Sequence, residues 1–167
     1  FWKLFESLKD VITDSNKRKI HIIEKMIFMI EKNKYYEQHL KNLFGEKSNI
    51  YFSDYLNCEF AFKFDVIIGN PPFNNNGTIK VPTSNVCKKK DGKTIWIDIV
   101  KKSITNLKSN GFLLYFVPVL WMRPDKSKLY NTLTDLKLHK IKSFNCSQVI
   151  KLFNNNAQTP CCFFLLE

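Results

Sequence analysis

The pattern of apolar and polar positions along the chain predicts strands that alternate with helices. Strands are predicted at residues 26–30, 50–53, 65–68, 112–117, 141–144 and 161–166. Helical spacing occupies residues 1–25, the stretch from Asn33 as N-cap to Gly45, residues 96–107, and residues 124–136, where Pro124 and Asp125 suit a first turn. The apolar runs at 26–30 and 65–68 are typical of strands buried on both faces. Strands alternating with helices predict an α/β fold with right-handed crossovers and a mostly parallel sheet.

Length and composition set the scale of this fold. A chain of 167 residues with 44% hydrophobic and 25% charged residues is typical of about one globular domain. The longest apolar run, residues 111–122, is shorter than the roughly 18 residues that a membrane-spanning helix needs, and Pro118 interrupts it. The start at Phe1, with no leader-like segment before the first structured element, indicates a piece of a longer protein.

The net charge of +11 favours a polyanionic partner. Only Arg18 and Arg123 are arginine, however, so the lysine excess also fits an AT-rich coding sequence, and the charge does not distinguish DNA from RNA. The five cysteines form no C-x-x-C pair and the three histidines have no zinc-ligand spacing. We therefore expect no metal, and reduced thiols in a cytoplasmic, reducing compartment.

Polar residues follow three of the predicted strands: Glu31, Asp54 and Asn70. In open α/β sheets, ligands bind beyond the carboxyl ends of the strands, so these side chains are candidates for a binding site. Taken singly, each carboxylate has an alternative role as a cap of the next helix, and Asn-Pro-Pro has an alternative role as a simple turn.

Residues 64–73, which end in Gly69-Asn70-Pro71-Pro72-Phe73, resemble the signature of the N6-adenine DNA methyltransferases of restriction-modification systems and viruses. Glu31 is similar to that family's acidic ligand of the cofactor ribose, and Asp54 with Tyr55 is similar to its cofactor adenine site. The resemblance covers nearly the whole chain. It implies a Rossmann-like, S-adenosylmethionine-dependent methyltransferase fold, of which residues 1–167 form a partial catalytic domain lacking the first strand.

The resemblance also implies a separate role for each residue of the motif. The Asn70 side-chain oxygen and the Pro71 carbonyl would accept hydrogen bonds from an adenine amino group, while Pro72 helps to fix that carbonyl. Phe73 would stack on an adenine flipped out of double-stranded DNA, a contact worth about 1–3 kcal/mol. No general base is expected, because a positively charged sulfonium makes the methyl group a strong electrophile and positioning is the main contribution.

Two further substrate contacts are expected. Phe153 is a candidate second aromatic contact, with packing in the core as the alternative. Residues 74–94 lack periodicity and follow the motif directly, so they are expected near the target strand. Their lysines are candidates for phosphate contacts, with a solvated loop as the alternative; the chief candidates are Lys88, Lys89 and Lys90.

Two other functions remain open at this point. Amino-methyltransferases of protein glutamine or RNA also carry Asn-Pro-Pro-aromatic, and a non-catalytic nucleic-acid-binding remnant would keep the fold alone. In the family sheet the first strand lies between the strands that end at Glu31 and Asn70, so its absence would leave the two halves unpaired with each other. No target-recognition domain is visible, so the recognised DNA sequence is not predicted.

Overall fold

The computed structural model describes residues 1–74, 94–154, 157 and 159–167. The chain divides into two compact units, Phe1–Glu59 and Phe60–Glu167. The strands of the described residues form two sheets, of two and four strands.

The first unit contains three α-helices, two strands and short helical turns. The helices are α1 (Trp2–Ser7), α2 (Ser15–His21) and α3 (Glu37–Phe44), and the strands are β1 (Phe28–Glu31) and β2 (Asn49–Phe52). A π-helical turn follows α2, and 3-10 turns precede α3 and follow β2; these turns are Ile22–Met26, Lys34–Tyr36 and Tyr55–Asn57. β1 and β2 pair in parallel, with Glu31 opposite Phe52.

Local side-chain chemistry fixes several boundaries in this unit. The Asp14 carboxylate accepts a hydrogen bond from the Lys17 amide and begins α2. Asn33 caps the 3-10 turn that leads into α3, and Gly45, with φ of +93°, ends that helix, as the sequence predicted. Arg18 is buried and lies 4.1 Å from the Phe5 ring centre, which ties α2 to α1.

Among its described residues, the second unit contains the four-stranded sheet, three α-helices and a 3-10 turn at Val119–Met122. The strands are β3 (Phe64–Gly69), β4 (Leu107–Pro118), β5 (Leu138–Phe144) and β6 (Cys161–Leu166), and the helices are α4 (Trp96–Asn106), α5 (Leu129–Thr134) and α6 (Cys146–Leu152). The strand order is β3-β4-β6-β5. β3 and β4 are parallel, whereas β6 runs antiparallel to both neighbours. The predicted α/β class is confirmed, with one reversed strand in this sheet.

One face of this sheet carries the core. Side chains that alternate along β4 and β6 are buried there, and α4 packs on this face, since the Ser103 hydroxyl lies 2.7 Å from the Tyr115 hydroxyl. The fully buried members are Leu113, Val117, Cys162, Phe164, Leu166, Val100, Leu129 and Leu133. Burial raises the pKa of the Cys161 thiol to about 12, so this cysteine stays protonated and unreactive at neutral pH.

Two strands are less buried than the sequence predicted. β3 is not buried on both faces, because Val66 and Ile68 are 51% and 72% exposed. They pair with Phe112 and Leu114, on the sheet face opposite the buried Tyr115. β1 is likewise only half-buried.

The helix predicted from Pro124 begins later, at Leu129. The Asp125 carboxylate instead accepts a hydrogen bond from the Ser127 amide and closes a turn, and Lys128 has a positive φ of 58°. The helix predicted over 96–107 ends at Asn106, and β4 begins directly after it. In the part of the chain that the structure describes, no helix has both the length and the apolar character required to cross a membrane.

Candidate functional site

Sheet topology brings the predicted motif and the predicted second aromatic to the same edge of the second unit. β3 ends at Gly69, immediately before Asn70. Because β6 is antiparallel, its first residue, Cys161, lies opposite the last residues of β4 and β5, Pro118 and Phe144. Phe153 and Ala157, which belong to the connection between α6 and β6, therefore lie near the edge at which β3 ends.

A surface depression at this edge is formed by the motif and by that connecting chain. Its lining residues are Asn70, Pro71, Pro72, Phe73, Phe153 and Ala157. All four predicted catalytic residues and the predicted second aromatic contact thus share one pocket. Ala157, which the sequence did not single out, contributes a small side chain to the wall.

The polar group of the motif is accessible. Asn70 is exposed, and its side-chain amide makes no hydrogen bond to another described residue. Pro71 is buried while Pro72 is exposed. Neither proline has an N–H group, so this corner offers acceptors without competing backbone donors. The arrangement is suited to binding a ligand amino group.

Two phenylalanine rings supply the apolar part of the pocket. Phe73 is half-buried, and its ring has no ring contact with the other described aromatic residues. The Phe153 ring is also half-buried and lies 5.7 Å from the Phe116 ring of β4, at an interplanar angle of 46°. Phe153 therefore both packs on the sheet and lines the pocket. Flat apolar rings beside an exposed amide suit a planar heterocycle.

Backbone pairing fixes the position of Phe73. Its carbonyl accepts a hydrogen bond from the Ile95 amide at 3.2 Å, and Asn74 and Thr94 form an isolated antiparallel bridge. The expectation of phosphate contacts by Lys88, Lys89 and Lys90 falls outside the described residues.

Gly69 allows the Tyr115 ring to approach the backbone closely, a contact that the sequence did not predict. A Cβ atom at this position would lie 2.6 Å from Cε1 of Tyr115. The Tyr115 hydroxyl in turn lies 2.7 Å from the Ser103 hydroxyl of α4. The residue before Asn70 is thus backed by a buried ring that is itself anchored to a helix.

The two predicted cofactor carboxylates lie at neighbouring strand ends in the first unit. Glu31 is the last residue of β1 and stands opposite Phe52 of β2. Asp54 lies two residues beyond Phe52. The Glu31 Oε1 atom accepts a hydrogen bond from the Asn33 amide at 2.7 Å. The Asp54 Oδ1 atom accepts one from the Leu56 amide at 3.0 Å. Each carboxylate therefore performs the local capping role that was the alternative to ligand binding.

Capping uses only one oxygen of each carboxylate. The Asp54 Oδ2 atom contacts the Lys32 ammonium at 2.8 Å, an ion pair in which the lysine is 63% exposed. Glu31 makes no further hydrogen bond among the described residues. Tyr55, the third predicted cofactor residue, is half-buried and begins the turn after Asp54. Lys32 was not predicted, and a lysine next to Glu31 gave no pattern that could have identified it.

Comparison with known protein families identifies one that spans most of the chain. The family described as Eco57I restriction-modification methylase matches residues 3–150. The chain is 31% identical over 94 residues to the Type II methyltransferase M.AccI of Acinetobacter calcoaceticus, covering 52% of this chain and 17% of that protein. It is 34% identical over 100 residues to the Type II methyltransferase M.CvrRI of Paramecium bursaria Chlorella virus XZ-6E, covering 55% and 23%. The chain thus spans less than a quarter of either relative.

Solved structures show the same fold. The M protein of the Type I restriction enzyme EcoKI superposes with a TM-score of 0.67 at 14% identity, covering 97% of this chain and 34% of that protein. A structure of a type I restriction-modification system superposes with a TM-score of 0.66 at 16% identity, and the match covers 98% of this chain and 34% of that chain. The predicted methyltransferase fold is confirmed by this similarity.

Proposed function

Because the chain belongs to the Eco57I restriction-modification methylase family, we propose that its protein transfers a methyl group from S-adenosylmethionine to the N6 amino group of adenine in double-stranded DNA. The observation that carries the proposal is the pocket in which Asn70, Pro71 and Phe73 meet Phe153. A pocket lined by an exposed amide and by two aromatic rings suits adenine, whose amino group is attached to a flat ring.

Base binding uses both aromatic residues. The target adenine leaves the duplex, because its amino group cannot reach a reacting centre while it is stacked. Phe73 then contributes stacking of about 1–3 kcal/mol, and Phe153, held against Phe116, forms the second apolar wall. Ala157 leaves room for the ring between them.

Asn70 and Pro71 orient the reacting nitrogen. The lone pair of an exocyclic adenine nitrogen is delocalised into the ring, which makes that atom a poor nucleophile. The Asn70 side-chain oxygen and the Pro71 carbonyl each accept one N–H of the amino group, drawing the nitrogen toward tetrahedral geometry and freeing the lone pair. Positioning of this kind supplies much of the rate enhancement. The methylated nitrogen carries a positive charge and is therefore acidic, so it releases one proton to water without a dedicated strong base.

The described residues fit the adenosine part of the cofactor. Ribose hydroxyls and the cofactor adenine amino group are hydrogen-bond donors, and Glu31 and Asp54 place two carboxylates at adjacent strand ends. Glu31 would accept from the ribose, and Asp54, beside Tyr55, from the adenine. The cofactor supplies an electrophilic methyl group on a sulfonium. The described cysteines, Cys58, Cys146, Cys161 and Cys162, are free thiols, which fits the proposed cytoplasmic setting.

The decisive experiment measures methyl transfer by the protein as its gene encodes it. Plasmid DNA, RNA and a glutamine-containing protein are offered with labelled S-adenosylmethionine, and the modified nucleosides or residues are identified by mass spectrometry. We expect N6-methyladenine in DNA, and a loss of about 100-fold or more in Asn70→Ala, because misplacing the reacting atom by about 1 Å costs that much. Asn131→Ala, an exposed asparagine on α5, is the matched control and should retain full activity.

Each other result would overturn a defined part of the proposal. N4-methylcytosine would refute the adenine assignment, and label in RNA or protein alone would refute the DNA substrate. Undiminished N6-methyladenine formation by Asn70→Ala would refute the role of the motif. No transfer to any substrate would support the non-catalytic alternative.

A further inference from the structure

We propose that three lysines on β5 and α6 form a binding surface for the DNA phosphate backbone beside the target-base pocket. This lysine surface consists of Lys140, Lys142 and Lys151. The inference rests on the proposed DNA substrate and adds the protein surface that holds the strand. It is independent of the lysines in residues 74–94.

The charge of this segment is one-sided. Residues 136–166 contain four lysines and not one aspartate or glutamate. Lys137 is paired with Glu167 at 2.8 Å. Lys140, Lys142 and Lys151 are exposed, and none of them forms an ion pair with another described residue. Their charge is therefore available to an external anion.

β5 presents two of these lysines together. It is an outer strand of the four-stranded sheet, and its residues from His139 to Ser143 are exposed. Lys140 and Lys142 stand opposite Leu165 and Phe163 of β6, so both lie on the same face of the sheet. Their aliphatic stems can rest on this half-buried apolar surface while the ammonium groups face solvent.

A series of ring contacts connects this surface with the pocket. The Lys142 ammonium lies 5.4 Å from the Phe144 ring centre, and that ring lies 5.8 Å from the Phe116 ring. Phe116 contacts the pocket residue Phe153 at 5.7 Å. Lys151 lies in the last turn of α6, two residues before Phe153 along the chain. Lys142 is thus linked to the pocket residue Phe153 by ring contacts, and Lys151 is linked to it by the chain itself.

This position matches the chemistry of a flipped nucleotide. When a base leaves the duplex, its sugar and the neighbouring phosphates stay outside the pocket and carry negative charge close to the entrance. Lysine ammonium groups bind phosphates as mobile point charges and without reading sequence. Lysines on outer strands also discourage sheet pairing between molecules, but that role does not require DNA and would leave DNA binding unchanged.

The test is the salt dependence of DNA binding. In the protein as its gene encodes it, Lys140→Gln, Lys142→Gln and Lys151→Gln are combined, and the dissociation constant for a fluorescent 30-base-pair duplex is measured by anisotropy at several salt concentrations. Each phosphate contact contributes about 0.9 to the slope of log affinity against log salt. We expect the slope to fall by about 2 to 3, with the same loss for duplexes of unrelated sequence.

The matched control removes the same charge elsewhere. Lys9→Gln, Lys17→Gln and Lys19→Gln replace three exposed lysines of the first unit and should leave the slope unchanged. An unchanged slope in the β5–α6 variant, or an equal fall in both triple variants, would overturn the inference while methyl transfer remains intact. If the unmodified protein binds and methylates RNA and not DNA, the proposed function itself fails.

Discussion

The two oxygens of Asp54 have different partners, and this difference defines what the residue can do. Oδ1 is held by the Leu56 amide, which fixes the carboxylate orientation without using a mobile group. Oδ2 faces the exposed ammonium of Lys32. An exposed ion pair contributes at most about 1 kcal/mol, so Lys32 is easily displaced by a ligand amino group. Asp54 can thus serve as both a turn cap and a cofactor ligand.

Replacing Asp54 by asparagine should weaken cofactor binding by about 10-fold or more, because hydrogen bonds to a charged acceptor contribute about 1.5–3 kcal/mol. Isothermal titration of S-adenosylmethionine into the protein measures this change. Asp10→Asn, at an exposed position in the same unit, makes the same change of charge and should bind normally. If both variants bind alike, Asp54 is only a cap. Lys32→Met removes the ion pair and keeps the Asp54 carboxylate. Its affinity for S-adenosylmethionine therefore shows how much of the Asp54→Asn effect comes from the loss of the carboxylate itself and how much from the release of Lys32.

The motif residues were predicted from the sequence because they form a short, local pattern. Asn70 to Phe73 follow a strand directly, and no long-range contact is required to recognise them. The role of Lys32 could not be predicted, because it depends on a contact with Asp54 across 22 positions of sequence. The contact between Tyr115 and Gly69 could not be predicted for the same reason, because it arises from the register of β3 and β4.

At the scale of elements, the strands were located more accurately than the helices. β6 was predicted with its observed bounds, because its apolar run is closed at both ends. β4 begins five residues earlier than predicted, since its polar first part pairs with β3 and not with the core. α6 was missed because it is short and buries only Val149. Its signal was nevertheless present: Asn145 and Gln148 form a capping box at the spacing typical of a helix start.

The contact between β3 and β4 gives a prediction for Gly69→Ala. The added methyl group would overlap the Tyr115 ring, so either the ring or the chain before Asn70 must move. Overpacking of this kind costs about 1–3 kcal/mol, and we expect a lower free energy of unfolding in urea together with reduced methyl transfer.

Second-site variants test the cause. Tyr115→Leu removes the ring and should restore part of the activity of Gly69→Ala, whereas Tyr115→Phe keeps the ring and should not. Full stability and activity of Gly69→Ala alone would contradict the steric explanation.

At the scale of the whole molecule, the family and the fold were predicted because two sequence features agree. The motif follows a predicted strand directly, and the strands alternate with helices along the chain. The exposure of Val66 and Ile68 was not anticipated. An apolar run indicates that a strand can be buried, but the elements that pack on each face decide whether it is. Here α4 lies against the Tyr115 face alone, as shown by the bond between Tyr115 and Ser103.

Stability should fall in acid because of carboxylates on the second unit. A hydrogen bond from Lys137, and a smaller contribution from His139, lower the pKa of Glu167 below its ordinary value of 4.5. A hydrogen bond from Lys108 lowers the pKa of Asp65 in the same way. A carboxyl group with a lowered pKa in the folded state stabilises the protein above its unfolded pKa. This stabilisation is lost as the pH falls from about 5 through the folded-state pKa.

Melting temperatures measured between pH 3 and 7 should show this decline. Glu167→Gln should make the decline shallower, and Asp65→Asn with Glu167→Gln should flatten it further. Glu59→Gln, an exposed carboxylate on the first unit, is the control. A decline that is equally steep in the double variant would show that other groups cause it.

The bridge between Asn74 and Thr94 has an evolutionary consequence. It pins both ends of the intervening chain at one point beside Phe73, so substitutions, insertions and deletions within residues 75–93 need not displace the aromatic ring. By the general relation for loop closure, doubling the number of residues between two fixed ends costs only about 0.6 kcal/mol. Insertions or deletions between Asn74 and Thr94 are therefore expected to leave the pocket formed by Phe73 and its neighbours in place.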